Sequence, residues 1–246
     1  MLCRRSREDS DYDTLKPFSD RFSSLRSLKE IFDPALNEWR YRFYQKYWKE
    51  KVEEDYAKKG YYWAVGSTDE ENYLEIGRRA FAGCLLCGLK ETDTVLDFGC
   101  GNGRLALHLQ EFLKGEYHGV DISERLIEDA KKKISSSNFT FLVNERPALP
   151  FQDSYFDFIC AFSVITHLDI EYTKELLQEW KRLLKPSGNL CISFHSNKTV
   201  LSSAGDIQRM EHNPAFLVGV AVGIGLRLVD IKDVSLGQLV LHLTSR

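Results

Sequence analysis

Residues 95–105, Val-Leu-Asp-Phe-Gly-Cys-Gly-Asn-Gly-Arg-Leu, join an apolar strand pattern to three glycines and then to a helical pattern running from Arg104 to Leu113. Glycine at such a turn admits backbone angles closed to other residues and lets a ligand approach the main chain with no Cβ in the way. A strand, a glycine turn and a helix N-terminus in this order make a nucleotide-type site in an α/β fold. The spacing is G-x-G-x-G, at Gly99, Gly101 and Gly103. A dinucleotide fingerprint, G-x-G-x-x-G, would need glycine where Arg104 stands, so the spacing disfavours a nicotinamide oxidoreductase.

Downstream, His118-Gly-Val-Asp-Ile-Ser123 reads as a second strand ending in an acid, with Ser123 capping a helix from Glu124 to Ile134. Asp121 follows Gly103 by eighteen residues, near the separation expected between a glycine loop and a ribose-binding carboxylate. A third strand near 139–143 leads into Asn144-Glu145-Arg146, a Leu-Pro-Phe turn at 149–151, and a fourth strand near 157–162. Helix 170–184 and Pro186-Ser-Gly188 then lead to a fifth strand near 188–194. Such alternation predicts a parallel sheet with helices on both faces.

Together these residues resemble the class I S-adenosylmethionine (SAM) methyltransferases, over about residues 90–195 and more loosely to the C-terminus. The resemblance implies a doubly wound α/β fold with a seven-stranded, mostly parallel sheet of order 3-2-1-4-5-7-6, the last strand antiparallel. It implies SAM as cofactor and S-adenosylhomocysteine as product. Asp97, Gly99, Cys100, Gly101 and Gly103 fall in the loop that wraps the methionine and ribose parts, and Asp121 with Ile122 falls at the ribose. Glu145 falls where relatives carry the acid that accepts from the adenine amino group, and Arg146 where a backbone N–H faces the adenine ring. Relatives usually have Gly-Asp-Ala there. Phe162 flanks the adenosine or methionine moiety.

In open α/β sheets the pocket lies at the carboxyl ends of the strands. His167, after the fourth strand, is the candidate general base because imidazole titrates near neutrality; its alternative is a histidine that hydrogen-bonds locally and shapes the pocket. His195, after the fifth strand, is the second candidate. Before the glycine loop, Tyr62 and Trp63 are candidates for contact with the methyl or the substrate, against simple packing.

The chain has 246 residues, a net charge of −3 and 43% hydrophobic residues. That is enough for a core and argues against a general nucleic-acid binder, which needs a basic surface. Of the six cysteines, Cys84 and Cys87 form a C-x-x-C inside a helical pattern; with no further ligands at recognisable spacing it reads as core packing, and no metal is expected. Cysteine usage fits a reducing, cytoplasmic setting. No apolar run reaches the roughly 20 residues of a membrane span. The run from Ala215 to Leu226 reads as a buried helix feeding a strand, followed by a tight turn at 235–238 and a returning strand.

The expected organisation is a mobile segment 1–20, a helical cap 21–90 and a SAM-binding domain 91–246. Within the cap, a helix from about Ala35 to Lys59 is dense in aromatics, and a capping box at Ser67-Thr68 with Glu70 and Glu71 starts the next. The expected activity is methyl transfer by in-line displacement to a small molecule, through oxygen, nitrogen or carbon. The alternatives are a protein or RNA acceptor, and a non-catalytic SAM-binding partner subunit.

Overall fold

The computed structural model describes residues 34–233 and 237–245. The expected mobile segment 1–20 lies outside them. By contacts the chain falls into two units, 1–40 and 41–246; residues 41–90 cluster with the sheet. No helix among the described residues is long and apolar enough to cross a membrane.

Six α-helices are described, α1 (Pro34–Lys59), α2 (Glu70–Leu86), α3 (Ala106–Leu109), α4 (Glu124–Lys133), α5 (Ile170–Leu183) and α6 (Pro214–Gly223), with 3-10 turns at Trp63–Val65 and Ile165–His167. Their starts are written in short polar residues. The Ser123 hydroxyl accepts from Leu126 N, and Asp169 accepts from Tyr172 N at 2.8 Å. Lys131, Lys132 and Lys133 in the last turn of α4 complement its dipole. For α2 the cap is Asp69, which accepts from Asn72 N at 2.8 Å, and not Ser67 or Thr68 as expected; the Thr68 hydroxyl bonds to the Asp69 carboxylate instead. The helix expected over 104–113 shrinks to four residues. Bonds to the fourth residue back, such as Leu107 N to Gly103 O, mix there with three-residue bonds such as His108 N to Leu105 O, so no regular ladder extends.

The strands are β1 (Val95–Phe98), β2 (Tyr117–Asp121), β3 (Phe139–Val143), β4 (Phe156–Ala161), β5 (Leu184–Ser196), β6 (Ser203–Gly205), β7 (Met210–His212), β8 (Leu226–Asp233) and β9 (Leu239–Ser245). The core runs β3-β2-β1-β4-β5-β9-β8, parallel up to β5, with β9 antiparallel between β5 and β8. This is the expected seven-stranded order. The β6–β7 hairpin is an addition, joined to the end of β5 at His195 and Ser196. Pro186-Ser-Gly188 does not precede β5 but bulges within it, between the Leu184–Phe156 and Asn189–Phe158 pairs, with Ser187 at φ +63°.

Alternate strand residues feed two cores. Leu96, Ile159 and Ile192 meet α5 and α6, while Val95, Phe158 and Cys191 meet α2, α3 and α4. On α5, Leu176, Leu177, Trp180 and Leu183 are buried, each contributing about 1.5–3 kcal/mol. Cys84 and Cys87 are free and buried with Cys160 and Cys191, and among the described residues no cluster is arranged to hold a metal. The expectation of a buried α6 is corrected: only Leu217 and Ala221 are buried, and Phe216 and Val222 face solvent.

Candidate cofactor and active site

A cavity of about 610 Å³ opens at the carboxyl ends of β1 to β5. Its floor is the glycine turn. Gly99 N and Cys100 N both donate to Val120 O, at 2.8 and 3.0 Å, which pins the turn to β2. Gly99 has φ +75°, and a Cβ on it would stand 2.4 Å from Val164 Cγ2. Gly101 has φ +57°, with Val65 Cγ1 3.1 Å from where its Cβ would be. Both positions therefore require glycine for conformation and for close approach.

Asp121 closes the floor. Its Oδ2 accepts from Gly101 N and its Oδ1 from Ser123 N, each at 2.9 Å. Burial pushes this carboxyl above its ordinary pKa, and the amide bonds oppose that shift. Each oxygen keeps a further lone pair for a ligand hydroxyl. Ile122, Asn144, Glu145 and Arg146 continue the wall at the ends of β2 and β3. Glu145 pairs with Lys49, and its carbonyl accepts from Gln45 Nε2 at 2.6 Å. The Arg146 guanidinium lies 5.8 Å from the Tyr41 ring.

Over β4 and β5 the wall is Phe162, Ser163, Thr166, His167, His195 and Gln238. The His167 ring meets Trp48 edge-on at 4.6 Å, and its Nδ1 lies 3.1 Å from Ile207 O. Burial holds His167 below its ordinary pKa, against the backbone contacts at Ile207 and Gln208. His195 is also lowered, first by burial and then by Arg209.

Residues 95–188 match the sequence family described as a methyltransferase domain. The matched span runs from β1 into β5 and holds the glycine turn, Asp121 and Phe162, and over it the chain is similar to methyltransferases. It is 31% identical over 126 residues to phosphoethanolamine N-methyltransferase of Plasmodium falciparum, covering 50% of this chain and 47% of that protein. It is 36% identical over 116 residues to 2-phytyl-1,4-naphtoquinone methyltransferase of a Nostoc species, covering 44% and 49%. The chain thus spans about half the length of these curated relatives. In fold it is similar to magnesium protoporphyrin IX methyltransferase from Synechocystis with bound S-adenosylhomocysteine, at TM-score 0.58 and 18% identity, covering 74% of this chain and 90% of that one.

The residues present fit SAM as cofactor. Two glycines lay bare main chain beside a carboxylate with spare acceptors, at the bottom of a cavity of ordinary ligand size. Of the residues expected at a methyltransferase site, Gly99, Cys100, Gly101, Asp121, Ile122, Glu145, Arg146, Phe162, Trp63, His167 and His195 line this one cavity. Three do not. Asp97 is buried beneath it, where Oδ2 accepts from the Tyr117 hydroxyl at 2.7 Å and burial pushes the carboxyl up to about 6. Gly103 faces α4, with Ala130 Cβ and Ile134 Cγ1 each 3.4 Å from where its Cβ would be. Tyr62 packs on Tyr61 and Tyr73, at ring distances of 5.3 and 5.4 Å; its neighbour Trp63 is the one that reaches the cavity.

The aromatic helix expected in the cap supplies the roof. Tyr44, Tyr47, Trp48, Lys51, Val52 and Asp55 of α1 all line the cavity. Their spacing of three and four marks one helix face, the signal that was available. Sequence reasoning missed Arg104, whose Nη1 donates to Val65 O at 2.9 Å and to Ser67 Oγ at 3.0 Å, binding the 63–67 loop to the glycine turn.

Proposed function

We propose that this protein transfers the methyl group of SAM to a small-molecule acceptor. The observation that carries the reading is the glycine turn held to Asp121 in a cavity roofed by α1. SAM supplies a methyl carbon on a positively charged sulfur, a leaving group already activated. The protein's work is then mainly alignment and exclusion of water. In this reading Gly99, Cys100 and Gly101 receive the methionine end, and Asp121 accepts from the ribose hydroxyls. Ile122, Glu145, Arg146 and Phe162 surround the adenosine. Residues 41–90 act as the cap, with Trp63 at its inner edge.

His167 is the candidate base for an acceptor that must lose a proton, since its lowered pKa keeps the ring neutral at physiological pH; His195 stands second. A roofed cavity suits a modest organic acceptor better than a polymer. Net charge of −3 gives no general support for nucleic acid as partner. The five described cysteines are free, in keeping with a cytoplasmic setting.

The experiment is transfer of labelled methyl from SAM into a lysate of the source cells, with Asp121→Ala as control. Label in the solvent-extractable fraction, lost in the variant, supports the reading. Label in precipitated protein or RNA replaces the acceptor class. SAM binding without any enzyme-dependent label favours a non-catalytic partner subunit.

A further inference from the structure

Charge is unevenly distributed around the cavity. Its lining Lys, Arg, Asp and Glu side chains are Lys51, Asp55, Arg104, Asp121, Glu145 and Arg146, on α1, the glycine turn and the ends of β2 and β3. Lys51 pairs with Asp55, Glu145 with Lys49, and Arg104 is engaged by Val65 and Ser67. Among the described residues, the lining over β4 and β5 contains no Asp, Glu, Lys or Arg. A phosphate or carboxylate brought there would lose its water and meet no Lys or Arg of the described lining, which is strongly unfavourable.

What this half does offer is π surface and neutral polar atoms. Trp48 stands edge-on to His167, and Tyr44 stacks on Tyr172 at 5.2 Å. Gln238 Nε2 donates to Ser163 Oγ at 3.0 Å. Thr166 is fully buried in the lining, and its Oγ1 has no partner among the described residues. Flat aromatic walls with a few uncharged hydrogen-bonding groups suit a flat, uncharged ligand.

The added β6–β7 hairpin bears on the same half. The Ile207 carbonyl, in its turn, can only accept, so the neutral His167 ring bonded to it carries its proton on Nδ1 and its lone pair on Nε2. His212 of β7 lies with Nε2 2.8 Å from Ile165 O, which anchors the turn that carries His167. The hairpin also brings Gln208 to the cavity wall.

We infer that the β4–β5 half of the cavity takes an uncharged aromatic acceptor bearing a weakly acidic hydroxyl, with Nε2 of His167 receiving its proton. This rests on the methyltransferase reading above. In the step, the acceptor oxygen forms a bond to the methyl carbon as the carbon–sulfur bond breaks. The bond pair stays on sulfur, which becomes a neutral thioether, and the hydroxyl proton passes to Nε2. The positive charge of the sulfonium thus reappears on the imidazolium, which returns its proton to solvent.

The test first titrates SAM into the full chain; failure to bind sinks the methyltransferase reading itself. On the protein loaded with S-adenosylhomocysteine, 2-naphthol and a hydroxynaphthoquinone are then titrated beside phosphoethanolamine, and the same compounds are offered with labelled SAM. The expected result is binding and methylation of at least one neutral aromatic hydroxyl, with neither for phosphoethanolamine. Trp48→Ala should weaken that binding about tenfold or more, and Trp48→Phe much less. His167→Asn should lower kcat about 10²–10⁴-fold with SAM still bound, and remove the acidic limb of the rate–pH profile. His195 and Asp206 are the other titratable groups acting on His167; the limb should persist in His195→Gln, and its loss there but not in His167→Asn would move the proton to His195 and overturn the assignment. SAM binding with no neutral aromatic hydroxyl bound at millimolar concentration, or with methylation only of the phosphorylated amine, overturns the inference alone. So does an unchanged kcat in His167→Asn.

Discussion

Replacing Gly99 by alanine tests whether the glycine turn is built for close approach. Its φ of +75° costs an L side chain about 1–2 kcal/mol. The new Cβ would stand 2.4 Å from Val164 Cγ2, against an ordinary carbon–carbon separation of about 3.5–4.0 Å. Val164 is β-branched and opens the turn carrying His167, so its χ1 is stiff and its methyl retreats only at a cost. Overpacking of this kind costs about 1–3 kcal/mol. The sum, about 2–5 kcal/mol, corresponds to roughly 4–20 °C in Tm for a domain of this size. Urea unfolding of wild type, Gly99→Ala, Val164→Ala and the double variant measures it. The double variant should recover the steric share, a coupling of about 1–3 kcal/mol, and keep the cost of φ. A Gly99→Ala penalty below about 1 kcal/mol, or no coupling to Val164, would refute the reasoning.

Asp121→Ala removes the acceptor for Gly101 N and Ser123 N; SAM affinity should fall at least about 10–150-fold by calorimetry, the loss of one hydrogen bond to a charged group worth about 1.5–3 kcal/mol, and a change under fivefold with the fold intact counts against its ribose role. Arg104→Met frees the 63–67 loop from the glycine turn, and should raise the SAM Kd by about tenfold with faster amide exchange at Val65 and Gly66; unchanged exchange there contradicts the clamp. Burial raises Asp97 to about 6, so its contribution to stability is complete below about pH 4 and is lost as pH rises to about 6, on the order of 3 kcal/mol. Asp97→Asn should therefore gain on wild type by that order between pH 4 and pH 7 in urea unfolding, and a pH-independent difference would speak against it.

Much of this was legible because strand ends punctuate the sequence. Val95–Phe98 before three glycines, and an acid closing His118–Asp121, fix where the cavity floor lies. Residue identity did not fix which way each side chain turns. Asp97 looks like a lining acid beside the glycines, yet its partner is Tyr117 in the neighbouring strand. Gly103 belongs to the same triplet and serves helix packing instead. Tyr62 and Trp63 are adjacent at the start of one 3-10 turn, and their rings diverge.

The β6–β7 hairpin escaped notice because three-residue strands are too short to show a period of two in a polar stretch. Sequence leaves the α1 aromatics open between packing and covering the site mouth, because aromatics at helical spacing look alike in both settings. The four-residue α3 shows the reverse error, a clean helical pattern overridden by tight turns.

The central claim is that the floor formed by Gly99, Gly101 and Asp121 is a SAM site. A crystal structure of the protein soaked or grown with S-adenosylhomocysteine tests it most directly. The account predicts the ribose hydroxyls on the Asp121 carboxylate, the amino-acid end against the Gly99–Gly101 main chain, and the adenine between Ile122 and the 144–146 segment. A ligand bound elsewhere, or bound in this cavity with its ribose away from Asp121, would contradict it.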